Sequence, residues 1–235
     1  MPRTRYEIVT EFERPEPDLL ARAANLFCCL IGGEVGPRQV MDSGIKPLDV
    51  NWRICGPAFT VRPEYVDDLL MGKIAGKYLK PGDVVVVDAV GSSMATWGAS
   101  MAHGIKQAGA TGLVLDGYVL TEELLRLREN LPVFCRGTMA ISADGTRPGW
   151  LNVPVICGGI IVHPGDLVVG DGDGVAVIPR TRIAEVVAAV EARNQPRTRE
   201  GILEPRKPGA PLYYKKSGAE SVIDKLIAEG SLAIR

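Results

Sequence analysis

The stretch KPGDVVVVDAVG, residues 80–91, decides how the rest of the chain reads. Its four consecutive valines are β-branched and carry no polar residue between them. A strand that is apolar on both faces needs a sheet covered on both faces. Pro81-Gly82 supplies the turn into the run, and Asp88 ends it. Working outward, GLVLDG (112–117) is a second run of this kind and LPVFCRG (131–137) a third. Between them lie MATWGASMAHGIKQAG (94–109), rich in small residues and closed by Gly109, and TEELLRLREN (121–130); both read as helices. Upstream, ICGPAFTV (54–61) reads as a strand, DDLLMGKIAGKYL (67–79) as a helix, and PDLLARAANLFCCLIG (17–32) has helical apolar spacing. This β-α-β-α-β rhythm predicts an α/β fold, a central sheet flanked by helices and joined by right-handed crossovers.

After residue 150 the rhythm changes. VPVICGGIIVHPGDLVVGDGDGVAVIP (153–179) consists of short β-branched runs separated by Gly-Gly, Pro-Gly-Asp and Asp-Gly-Asp-Gly, the punctuation of hairpins. TRIAEVVAAVEARNQ (181–195) follows as an amphipathic helix with Thr181 as the expected cap. The remainder is rich in Pro, Gly and charge, with a short helix expected at AESVIDKLIAEG. The chain therefore divides into a main domain, 1–195, and a C-terminal arm, 196–235.

A length of 235 residues suffices to bury a core in one domain. A net charge of -1 provides no electrostatic footprint for nucleic acid. No apolar run approaches the ~20 residues that span a bilayer, and the opening MPRTRYEIVTEFERPEPD lacks an apolar signal core. No nucleic-acid or membrane partner is expected, and a cytoplasmic location is. The five cysteines show no CxxC spacing and read as buried small hydrophobes. With His103 and His163 the only histidines, a His-rich metal site is excluded, so any metal must take oxygen ligands, which suits magnesium or manganese.

Several motifs bear on chemistry. DGDG at 171–174 resembles a calcium loop, but the twelfth position, where such a loop needs Glu, is Arg182; a turn using glycine explains the motif. GASMA (98–102) is a loose match to a nucleophile elbow and lacks its second glycine. A glycine followed by small residues at a helix start instead leaves free backbone N–H groups that can hold a carboxylate, or simply lets helices pack closely. Asp88 and Asp116 each close a buried run, where open α/β sheets bind ligands; capping of the next segment is the alternative. Glu122 and Glu123 read as solvated first-turn residues.

GDVVVVDAVG, WGASMA, AGATGLVLDG, LPVFCRG and the glycine-rich block 152–180 together resemble the RraA-like family, over roughly residues 20–195. That family contains 4-hydroxy-4-methyl-2-oxoglutarate aldolases, related oxaloacetate decarboxylases and the ribonuclease E inhibitor RraA. The resemblance implies a swivelling β/β/α domain assembled as a homotrimer or a hexamer, with sites between subunits. It implies a lyase acting on a small oxo or hydroxy acid. A changed reaction using Asp116, Ser100 or His103, or a binding trimer without catalysis, are the alternatives. In the aldolases a Gly-led loop binds the substrate carboxylate through its amides. That loop matches Gly98, Ala99, Ser100 and Met101, with Ala99 where the family has an acidic residue. The substrate-binding Arg falls on Leu120 and the metal-holding Asp on Thr121. Leu120 cannot make the bidentate contact of Arg, and a Thr hydroxyl brings no charge to a divalent cation. Magnesium or manganese is thus expected to bind weakly or not at all at the family position, with Glu122 as the candidate substitute ligand. Asp116 is the expected catalytic group.

Overall fold

The computed structural model describes residues 5–89, 91–120, 131–194 and 217–232. The expected helix at 121–130, with Thr121, Glu122 and Glu123, lies outside them. In chain order the described elements are α1 (Pro17–Ala24), α2 (Cys28–Val35), β1 (Lys46–Pro47), β2 (Ile54–Pro63), α3 (Leu70–Ile74), β3 (Val84–Val87), β4 (Ala95–Trp97), α4 (Ala99–Gln107), β5 (Gly112–Val119), β6 (Val133–Thr138), β7 (Gly149–Leu151), β8 (Val155–Cys157), β9 (Ile160–Val162), β10 (Leu167–Asp171), β11 (Gly174–Ile178), α5 (Ile183–Asn194) and α6 (Ala219–Ala228). Short 3-10 turns occupy Pro37–Gln39, Ala75–Lys77 and Arg180–Arg182.

The four-valine run is a central strand. β3 pairs in parallel with β2 on one side and β5 on the other, and β5 pairs in parallel with β6. The sheet runs β1-β6-β5-β3-β2-β10-β11, with β4 added to β5 and β7 to β2. Its two ends approach each other: the Met41 amide donates to Val175 at 2.9 Å and the Lys46 ammonium to the Asp173 carbonyl, so the sheet nearly closes.

Strand alternation sorts the side chains. Val85 and Val87, with Leu113 and Leu115, pack under Met71, Ala75, Ala102 and Ile105 from the α3–α4 layer. Val84 and Val86, with Val114 and Phe134, face the other way, into an interior covered by the β8–β9 hairpin through Val155, Cys157, Ile160 and Val162. A third cluster seats α1, α2 and α5 on Leu167, Val169, Ala176 and Ile178 of β10 and β11. Each fully buried valine or leucine contributes about 1.5–3 kcal/mol, which is why a run apolar on both faces is stable only here.

The structure departs from the sequence expectations in four places. The 17–32 helix is two helices: Asn25 closes α1, Phe27 is extended, and the Asp171 carboxylate accepts from the Cys28 amide at 2.9 Å to start α2. The 67–79 helix shortens to α3 plus a 3-10 turn, because Asp68 is buried and accepts from the Arg147 amide at 3.2 Å. Residues 95–97, expected as helix, form β4, and α4 starts only after the extended Gly98. Thr181 lies within a 3-10 turn rather than capping α5. The hairpin punctuation holds: Gly158 and Gly159 both adopt positive φ between β8 and β9, and Asp171 accepts from the Asp173 amide at 3.0 Å in the β10–β11 turn.

The chain divides into two compact units at residues 198/199. In the second, α6 is an amphipathic helix with Val222 and Ile223 exposed. No helix among the described residues is long and apolar enough to cross a membrane.

Candidate active site

The carboxyl ends of the parallel strands carry two separate constellations. The first is the start of α4. Trp97 is locked in β4 by pairing with Val119, and the Trp97 carbonyl accepts from the Leu120 amide at 2.9 Å. Gly98 is extended and is the N-cap of α4, its carbonyl accepting from the Ala102 amide at 3.0 Å. The amides of Ala99, Ser100 and Met101 therefore fall in the first turn, ahead of the intrahelical hydrogen-bond pattern. They form a set of donors at the positive end of a nine-residue helix. Ser100 is exposed, Met101 is half-buried and Ala99 is buried. Leu120 stands against this turn: a Cβ added to Gly98 would meet Leu120 Cδ1 at 3.7 Å. The structure thus brings together the loop and the arginine-equivalent position, and it offers an apolar wall beside the amides.

The second constellation centres on Asp116, on the hairpin side of the sheet. Asp116 is 1 % exposed. One carboxylate oxygen accepts from Arg136 Nε, and the other accepts from the Gly158 amide at 2.6 Å. Arg136 also donates to Asp42 at 3.1 Å, and the Asp42 amide donates to the Gly158 carbonyl at 2.8 Å. The Gly44 amide, and then Arg136, hold the Asp42 carboxyl below its ordinary value, while the hydrogen bond to Asp116 is the main reason the Arg136 guanidinium is raised. Burial, then the Asp116 and Asp88 carboxylates, push the Cys157 thiol well above its usual value. The network fastens the ends of β5 and β6 to the β8–β9 turn. Beside it, a cleft of about 710 Å³ is lined by Arg38, Gln39, Asp42, Gly158, Gly159 and His163.

Asp116 and the α4 turn consequently do not face one another within one chain. Among the described residues no group of three or more His, Cys, Asp or Glu is placed to hold a metal ion, and Thr121 and Glu122 lie outside them. With Leu120 apolar and both Asp116 oxygens engaged, the described donors do not fit a divalent cation, and no chemical step is assigned to one. Sequence reasoning missed Arg136 and Asp42. The available signal was a lone arginine directly after the buried run Val133-Phe134-Cys135, a position where a cation needs a partner.

Residues 29–177 match the family described as RraA-like, Aldolase/RraA. A relative in Halalkalibacterium halodurans, named "Putative 4-hydroxy-4-methyl-2-oxoglutarate aldolase", is 41% identical over 141 residues, which cover 60% of this chain and 66% of that relative. The chain thus spans just under two thirds of that relative's length. The crystal structure of RraAS2 from Streptomyces coelicolor, described as an unusual member of the RNase ES inhibitor RraA protein family, superimposes with a TM-score of 0.69 at 30% identity, covering 83% of this chain and 100% of that one. The RNA-processing inhibitor RraA from Thermus thermophilis shares the fold, with a TM-score of 0.58 at 22% identity over 66% of this chain and 93% of its own. The fold and the family match over residues 29–177 show that this chain belongs to the RraA-like family.

Proposed function

We propose that this protein is a lyase of the aldolase or decarboxylase type, acting on a small oxo or hydroxy acid whose carboxylate sits on the first-turn amides of α4. The observation that carries this reading is the extended Gly98 leading into the amides of Ala99, Ser100 and Met101. Leu120, in contact distance of Gly98, refines it: the group next to the bound carboxylate is apolar, which favours a monocarboxylate over a dicarboxylate. Ser100, exposed in the first turn, and His103, half-buried one turn later, are polar side chains that this helix itself offers to such an acid. Asp116 enters as the group that holds Arg136 and the hairpin in place. A homotrimer or hexamer is part of the same reading, because the two constellations lie apart in one chain and a second subunit can bring them together. The cross-strand pair Ile156–Ile161, 54% and 58% exposed, supports an assembled state.

Favouring a non-catalytic alternative is the apolar Leu120 in the arginine-equivalent position. The test is calorimetric titration with pyruvate and with oxalate, using the wild type and Ala99→Pro. Ala99 is the first helical residue and Gly98 before it is extended, so proline is tolerated there while one amide donor is deleted. Binding of pyruvate that weakens in the variant, with unchanged circular dichroism, supports the site. Equal affinity in both proteins, or none in either, refutes it.

A further inference from the structure

A second polar feature lies beneath the α4 turn, on its sheet side. Asp68, Thr96 and Trp97 are 5%, 4% and 2% exposed, and Asp68 Oδ2, Thr96 Oγ1 and Trp97 Nε1 are buried without a hydrogen-bond partner among the described residues. Asp68 Oδ2 has only Arg147 Nε 3.4 Å away, outside hydrogen-bonding geometry. A buried polar atom left in this state is costly, and three together call for an explanation. All three residues line one small pocket, whose other walls include Val61, Val87, Gly72 and Met101. Its volume, about 10 Å³ measured for the centre of a water-sized sphere, is roughly the least that admits one water.

We propose that this pocket is a binding site for a single ordered water. The donor set selects that occupant. Indole Nε1–H can only donate, and an ionised carboxylate can only accept. A cation would face the indole hydrogen, and an anion would face Asp68. An occupant that accepts from Trp97, donates to Asp68 and exchanges a hydrogen bond with Thr96 must be both donor and acceptor, and at this size it is water. The indole packs closely on Gly72, where a Cβ would come within 2.7 Å of the Trp97 ring. The water links Asp68, at the start of α3, to the two residues that precede Gly98, and so braces the strand from which the α4 turn departs. The site does not depend on acid binding at that turn.

The experiment is a crystal structure of the wild-type protein with ordered solvent resolved, joined to two-dimensional NMR of the indole N–H groups. The expected result is a solvent peak within hydrogen-bonding distance of Trp97 Nε1 and Asp68 Oδ2. The indole signal that Trp97→Phe removes should also show a cross-peak to water. A direct protein acceptor on Trp97 Nε1, or a dry pocket, overturns the proposal. Thr96→Val supplies a test by sign. Removing a hydroxyl that is bonded to water lowers the melting temperature, whereas removing an orphaned hydroxyl raises it, and a rise counts against the site.

Discussion

Replacing Arg136 by leucine isolates the force that fastens the hairpin to the parallel strands. In the native protein Asp116 is buried with both oxygens engaged, one by Arg136 and one by the Gly158 amide. Arg136→Leu removes the cation and leaves the carboxylate, among the described residues, with the Gly158 amide as its one remaining donor. Breaking a fully buried ion pair costs ~3–5 kcal/mol. The Arg136 side chain keeps 33% of its exposure, so part of its charge is already screened, and about 2–3 kcal/mol is the expected loss. With a urea slope of about 2–3 kcal/mol per molar for a domain of this size, the midpoint should fall by about 1 M. Asp42→Ala removes the exposed arm of the same network, where the carboxylate side chain is 52% exposed, and should lower the midpoint much less than Arg136→Leu does. The double variant Asp116→Asn, Arg136→Leu should recover part of the single-variant loss, because it removes the stranded charge along with its partner. Urea denaturation of the four proteins at one protein concentration, followed by fluorescence, measures all of these. An Arg136→Leu midpoint within 0.2 M or so of wild type, or a double variant no more stable than Arg136→Leu, would refute the account of Asp116 as a buried anchor.

Restoring the family residues with Leu120→Arg and Thr121→Asp should raise manganese-dependent pyruvate release from 4-hydroxy-4-methyl-2-oxoglutarate or oxaloacetate by ~10²–10³, the usual weight of one electrostatic stabiliser; an efficient wild type, or an inert double variant that binds manganese, contradicts this. Magnesium should bind the wild type weakly or not at all, and calorimetry giving micromolar affinity that Glu122→Ala leaves intact would contradict both that and Glu122 as substitute ligand. Native thiol titration at neutral pH should modify exposed Cys29 first. Cys28, pushed up to about 12 by burial, Cys135, pushed up to about 11 by burial, and Cys157 should react only after denaturation; fast reaction of Cys157 in the native protein would be inconsistent with its burial. Light scattering should give three or six times the chain mass, and a stable monomer at micromolar concentration removes the assembly proposal.

The sequence alone determined the framework. Four valines in a row admit only a strand covered on both faces, and the recurrence of that pattern at 112–117 and 131–137 led to the parallel sheet. Glycine pairs marked the hairpins, because only residues that tolerate positive φ serve there, as Gly158 and Gly159 do. What the sequence could not show was anything set by distant partners. Asp116 looked like an open strand-end carboxylate until Arg136 and the Gly158 amide, 20 and 42 residues away, were seen to engage it. The break before Cys28 depends on Asp171, 143 residues later. Residues 95–97 became strand because β5 offered an edge to pair with, which overrode the helical look of their small neighbours. Local propensity and periodicity are written in consecutive residues, whereas a carboxylate's role depends on which donors the fold brings to it, and only the tertiary structure decides that.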